Sequence, residues 1–227
     1  PGRGARDKSV RVKTARGRKL SSTRWLQRQL NDPYVQEANR QGYRSRAAFK
    51  LQELDDRYGI LKAGSRVLDL GAAPGGWTQI AVERCGKGRV VAVDILEIEP
   101  IAGATVLQGD FYDDETLAAL RTALVGAADV VLSDMAAPTT GHGRTDHMRI
   151  AALAEAAYDF ATEVLAPGGG FVVKLFQGGA EAELLQRLKR DFRKVMHAKP
   201  PASRQGSSEL YLVALGYRGA EKGAESA

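Results

Sequence analysis

The sequence predicts an α/β fold, a seven-stranded, mostly parallel sheet with helices on both faces. Three observations carry that expectation. Apolar, β-rich runs at 66–70, 89–94, 105–108, 129–133, 170–176, 192–198 and 210–215 alternate with segments of helical period. In the first run, Val67, Leu68 and Leu70 suit a strand buried on both faces. That run breaks directly into Gly71-Ala72-Ala73-Pro74-Gly75-Gly76-Trp77, a small-residue turn that opens a helix. Alternation of this kind places ligands outside the carboxyl ends of the strands, at the topological switch point.

The elements follow in order. Residues 1–24 hold nine Lys or Arg and one acid, Asp7, for a net +8. The other 24 basic and 26 acidic residues leave the rest of the chain at −2. A basic stretch with almost no large apolar residues cannot build a core. Residues 1–20 are therefore expected to be a disordered arm that meets RNA or DNA, with a solubilising extension as the bland alternative. A start at Pro1 without Met suggests trimming. A short helical stretch opens at 21–26, and Asn31-Asp32-Pro33 breaks it and begins another, because proline suits a first helical turn.

A third helix spans 45–58 and is closed by Gly59. Its apolar stripe is Ala47, Leu51, Leu54 and Tyr58, and Lys50 falls on the same face. From residue 66 the strands alternate with helices around 76–85, 114–124, 146–165 and 180–190. One domain at 21–218 and a flexible tail at 219–227 complete the organisation.

Composition excludes several classes. No apolar run approaches the ~18 residues that span a bilayer, and the basic N-terminus has no apolar region behind it, so a cytoplasmic protein is expected. The single cysteine, Cys85, reads as a small core residue. His142, His147 and His197 form no ligand cluster, and the acids are dispersed, so no metal is expected.

The glycine-rich corner carries the chemistry. Gly71, Gly75 and Gly76 permit close backbone approach. The spacing is not the dinucleotide fingerprint, and the Lys-Ser/Thr pair of a triphosphate site is missing. A cofactor with an adenosine and no phosphates fits, which points to S-adenosylmethionine and a methyltransferase. Asp94 ends the second strand, Asp110 follows the third and Asp134 follows the fourth. Such acids can accept hydrogen bonds from ribose hydroxyls and an adenine amine. With Gly71, Gly75 and Trp77 they make a candidate nucleoside pocket.

Two lysines and a second acid sit in unusual places. Lys174 lies in the otherwise apolar strand Phe171-Val172-Val173-Lys174-Leu175-Phe176, where a cation is costly unless paired or neutralised. Glu209 begins the last strand, and Lys50 lies on an apolar helix face. With Asp134, each falls on or near the carboxyl-end rim.

The chain from about residue 21 to 216 closely resembles the FtsJ/RlmE group of 2′-O-ribose methyltransferases of large-subunit ribosomal RNA. The resemblance rests on Ser22-Thr23-Arg24-Trp25-Leu26, Arg44-Ser45-Arg46-Ala47-Ala48-Phe49-Lys50-Leu51, the block from Asp69 to Trp77, and Leu107-Gln108-Gly109-Asp110-Phe111. Further on it rests on Ser133-Asp134-Met135-Ala136, Leu165-Ala166-Pro167-Gly168-Gly169 and Phe171-Val172-Val173-Lys174-Leu175-Phe176-Gln177-Gly178.

The family's Lys-Asp-Lys-Glu tetrad maps onto Lys50, Asp134, Lys174 and Glu209. The resemblance implies a Rossmann-like class I methyltransferase fold and methylation of a 23S rRNA uridine in the A loop. It also implies the 50S subunit or its rRNA as partner, and a monomer. Arg24, Arg44 and Arg46 are the candidate RNA contacts. In the proposed chemistry a ribose 2′-oxygen attacks the sulfonium methyl. Lys174 is either the base or, because a free lysine is protonated at neutral pH, a charged group orienting the hydroxyl.

Three alternatives stay open: a tRNA or another rRNA site, a small-molecule methyltransferase, and an RNA-binding assembly factor without chemistry. The complete tetrad argues against the last, and the cationic arm against the small substrate. One departure is notable: Ala136-Ala137-Pro138 stands where the family commonly continues Pro-Asn.

Overall fold

A computed structural model describes residues 23, 26–27, 29–138, 140–177, 182–204 and 206–219. The basic arm at 1–20, Arg24 and residues 220–227 of the tail lie outside the described residues. Residues 23, 26–27 and 29–30 are helical, and α1 (Pro33–Gln41) and α2 (Ala47–Tyr58) follow them. The alternating body follows as β1 (Val67–Leu70), α3 (Gly76–Cys85), β2 (Val90–Asp94), β3 (Ala104–Gln108), α4 (Asp114–Leu124) and β4 (Ala128–Ser133). It continues as α5 (Gly143–Val164), β5 (Leu165–Phe176), α6 (Ala182–Asp191), β6 (Phe192–Ala198) and β7 (Glu209–Tyr217).

Local chemistry explains the ends. Asp32 caps α1 by accepting from Tyr34 N at 3.0 Å, with Pro33 in the first turn. Gly59 closes α2 at φ 62, a left-handed conformation that suits glycine. Several elements run longer than the sequence pattern suggests, the last strand among them at Glu209–Tyr217. Helix α5 starts at Gly143 rather than 146. Strand β5 starts at Leu165 rather than 170, because Leu165 pairs with Ala128 across a register shift before Val130 meets Gly170.

The seven strands form one sheet in the order β3-β2-β1-β4-β5-β7-β6, with β7 antiparallel to both its neighbours. Strands β1 and β4 run parallel, but strand order reverses between them, so their carboxyl ends open a crevice there. Side chains alternate between two apolar layers. Leu68, Leu70, Val131, Phe171 and Val173 pack with α4, α5 and α6. Val67, Val130, Leu132, Val172 and Val213 pack on the other face with Leu51, Leu54, Trp77 and Ile80 of α2 and α3. Parity along the strands puts Asp134, Lys174, Glu209 and Tyr211 on that second face, beneath α2. No helix among the described residues is long and apolar enough to cross a membrane.

Candidate active site

A cavity of about 660 Å³ lies at the switch point, lined by Gly71, Asp94, Asp110 and Asp134, with Ile95, Leu96, Phe111 and Tyr112 as an apolar lip. The fold explains each. Gly71 ends β1 at φ 74, and a Cβ there would come within 2.6–2.9 Å of Met135, so only glycine lets the ends of β1 and β4 meet. Asp94 ends β2, where its two oxygens accept from Ala73 N and Leu96 N at 2.9 Å each. Asp110 accepts from Tyr112 N at 3.0 Å and so shapes its own loop. Ala136, Ala137 and Pro138, where the chain departs from the family pattern, form part of the wall.

The four residues of unusual setting come together beside this cavity. Lys174, buried in β5, donates to Asp134 at Oδ1 (3.0 Å) and at its backbone oxygen (2.5 Å). Lys50 reaches from α2 to both Glu209 oxygens at 2.7 and 2.8 Å. Sequence reasoning assigned no role to the residue that joins the two pairs. The fully buried Tyr211 hydroxyl accepts from Lys50 Nζ at 3.3 Å and donates to Asp134 Oδ1 at 2.9 Å. Burial, followed by the charges of Asp134 and Glu209, holds that phenol well above its usual range, so it stays a donor. The antiparallel register, which sets Lys174 opposite Tyr211, could not be read before β7 was placed beside β5.

Asp69 was also passed over. It is completely buried on β1, accepts from Thr78 Oγ1 at 2.7 Å, and leaves Oδ1 without a hydrogen-bond partner among the described residues. Burial pushes its carboxyl up to about 7; the Thr78 bond opposes this, and the charges of Asp134 and Asp94 add to it. Native Asp69 thus keeps a proton that the unfolded chain gives up near pH 4. Its contribution to stability is intact below that pH and is lost as pH rises towards 7, with a slope of at most about 1.4 kcal/mol per unit. Asp69→Asn has no such proton. Its stability relative to wild type should climb between pH 4 and 7 in denaturant titrations, and parallel profiles would contradict the assignment.

Other predicted residues take different places. Trp77 does not line the cavity. It is buried in the core, donates from Nε1 to Ala47 O at 2.8 Å, and packs on the Tyr211 ring at 5.6 Å between centroids. Gly75 is also absent from the lining; a Cβ there would meet Ile101 at 2.5 Å, so its need for glycine comes from the protein's own packing. Arg44 is committed to loop carbonyls, donating to Glu99 O at 2.6 Å and Pro100 O at 2.8 Å. Arg46 pairs with Asp32 and donates to Ala202 O. Both guanidinium groups are therefore occupied by internal partners. Cys85 is buried in the core, as expected. No group of three or more His, Cys, Asp or Glu among the described residues could hold a metal ion.

Comparison with known proteins decides the family. The profile described as FtsJ-like methyltransferase matches residues 43–217, which include the cavity and both ion pairs. The chain belongs to the FtsJ-like methyltransferase family. Two similar relatives, from Rhodospirillum rubrum and Paramagnetospirillum magneticum, each carry the name Ribosomal RNA large subunit methyltransferase E. They are 64% and 63% identical; 98% of this chain aligns in each case, covering 87% and 93% of the relatives. Among solved structures, a ribosomal RNA methyltransferase from Plasmodium falciparum is 32% identical at a TM-score of 0.70, over 78% of this chain and 100% of that one. The expected Rossmann-like α/β fold is thus borne out for this FtsJ-like methyltransferase.

Proposed function

We propose that the protein is an S-adenosylmethionine-dependent 2′-O-ribose methyltransferase of large-subunit ribosomal RNA. The observation that carries this reading is the Lys174–Asp134–Tyr211–Lys50–Glu209 network, joined through Asp134 to the larger cavity. The cavity suits a nucleoside without phosphates. Carboxylates stand where hydroxyl and amine donors would lie, apolar side chains flank them, and Arg149 is the one cation in its lining. Asp94, Asp110 and Gly71 would hold the nucleoside, with Asp134 at the reacting end. When bound, the cofactor supplies an electrophilic methyl on a sulfonium. The relatives' shared name and their near-complete coverage support rRNA as the acceptor.

The chain's own part is positioning and proton handling. With Nζ held by Asp134 at two oxygens, Lys174 meets the ribose 2′-hydroxyl either as the acceptor of its proton or as a charged group that orients it. In both roles the Asp134 carboxylate holds and balances the lysine. Tyr211 fixes that carboxylate, and Lys50 with Glu209 fixes Tyr211. Fixed geometry of this kind supplies most of the advantage in a displacement reaction, up to ~7–11 kcal/mol. The A-loop uridine, a cytoplasmic location, a monomeric state and an RNA-tracking arm at 1–20 belong to the same reading. So does phosphate contact by Arg24, with Arg44 and Arg46 shaping the RNA-facing surface.

Calorimetry tests the cofactor assignment. Asp94→Ala is expected to weaken S-adenosylmethionine binding by about 1–3 kcal/mol, since charge-assisted hydrogen bonds are lost and the Ala73 and Leu96 amides are released. Wild type that binds NAD more tightly than S-adenosylmethionine would overturn it.

A further inference from the structure

A second cavity, of about 340 Å³, opens on the far side of the network and is lined by Lys50 and Glu209 together with Gln29, Ser45, Arg46, Ala47, Pro74, Arg204 and Ser207. Its chemistry differs from that of the first. Its lining holds three cations and one carboxylate, with Asp32 behind Arg46 and Arg204, two hydroxyls and an amide, and no aromatic ring that would offer a base a surface to stack on. Residues 45 and 46 lead into α2, a helix with no side-chain cap that begins at Ala47, so its positive end adds to the cations. Ser45 Oγ and Arg46 Nε are buried and have no hydrogen-bond partner among the described residues.

The cleft is also built rather than incidental. Glu53 accepts from Ala202 N at 2.7 Å, Ser203 donates to Glu209 at 2.9 Å, and Lys199 donates to Ser207 O at 2.6 Å. These contacts hold Arg204 and Ser207 against α2. Among the described residues, the Arg204 side chain makes a long contact to Asp32, 3.7 Å, and is 38% exposed, so its guanidinium is available.

We propose that this cleft binds the RNA backbone phosphate adjoining the acceptor ribose, with Arg204 as its principal side-chain contact. The inference rests on the methyltransferase reading and names how its substrate is held. In a ribonucleotide the 2′-oxygen and the 3′-phosphate sit on neighbouring carbons, so the anion nearest the reacting oxygen is that phosphate. The Tyr211 hydroxyl bridges a residue of each cavity, Lys50 of the second at 3.3 Å and Asp134 of the first at 2.9 Å. A ribose over Lys174 and Asp134 would therefore carry its phosphate towards Lys50 and Arg204. Phosphate contacts fix register without reading sequence.

The test uses the full chain and large-subunit rRNA transcribed without modifications. Wild type, Arg204→Ala and Arg204→Lys are titrated with RNA at several salt concentrations, and S-adenosylmethionine affinity and methyl transfer are measured in parallel. Arg204→Ala should bind RNA about tenfold more weakly and lower the slope of log K against log salt by about 0.7–0.9, raising KM rather than lowering kcat. Arg204→Lys should recover the slope, and cofactor affinity should be unchanged in both variants. Unchanged RNA affinity and slope would overturn the proposal. So would weaker binding at an unchanged slope, the mark of a base contact or of a purely structural arginine. Wild type that binds this RNA but transfers no methyl to it, nor to large subunits from cells lacking the gene, would instead contradict the functional reading on which the proposal rests.

Discussion

Replacing Lys174 with alanine should slow single-turnover methyl transfer at least ~10²-fold while S-adenosylmethionine binding stays close to wild type. The reasoning is geometric. Lys174 Nζ is bonded to Asp134 at both its carboxylate and its backbone oxygen, so it stands where the acceptor hydroxyl must approach. It is absent from the lining of the larger cavity, whose walls come from other residues. Its loss would leave the Asp134 carboxylate held by Tyr211 and remove the group that faces the acceptor hydroxyl. Arginine at the same position should be equally slow, because a guanidinium keeps the charge but cannot take a proton at neutral pH. Near-normal turnover in the alanine variant would remove Lys174 from the mechanism, and near-normal turnover in the arginine variant alone would make it a charged orienting group rather than the base.

The second large effect concerns the partner pair. Lys50 and Glu209 are mostly buried, and removing one partner of such a pair costs about 3–5 kcal/mol because the other charge is left uncompensated. Lys50→Met should therefore lower stability by about 3 kcal/mol and also slow turnover, since Tyr211 loses the donor that orients its hydroxyl. The double variant Lys50→Met with Glu209→Leu separates these effects. Replacing the whole pair with apolar groups should recover most of the stability. It should not recover turnover, which depends on the polar chain from Glu209 to Asp134. Denaturant midpoints and single-turnover rates measured on both variants check this. If turnover returns together with stability, the pair is structural.

Much of the fold was legible because strands and helices alternate cleanly. Helices α3 and α4 begin and end where composition and period place them, at 76–85 and 114–124. The acids at strand ends could also be read, since a carboxylate after a β-rich run marks the rim of a parallel sheet. Asp94, Asp110 and Asp134 all reach the cavity. Lys174 and Lys50 stood out because a cation on an apolar strand or stripe needs a partner, and each has one.

What could not be read depended on contacts between distant segments. Tyr211 looks like any strand aromatic until antiparallel pairing sets it opposite Lys174, 37 positions earlier. Arg46 looks like a free surface cation, yet its partners Asp32 and Ala202 come from opposite ends of the chain. Trp77 follows the ligand-binding turn in sequence, but one helical step carries it into the core against Tyr211. Spacing along the chain reports which residues could meet a ligand; the register of β7 and the approach of α2 decide which ones do.

The most direct test of the central claim is the position of the transferred methyl. Large subunits from cells lacking the gene are incubated with the purified protein and S-adenosylmethionine bearing a labelled methyl. The rRNA is then digested to nucleosides and to mapped fragments and analysed by mass spectrometry. The account predicts label on a ribose 2′-oxygen of large-subunit rRNA, at a position methylated in wild-type cells and unmodified in the deletion strain, and no transfer by Lys174→Ala. Label on a base, or an unmodified rRNA in the presence of active cofactor binding, would contradict it.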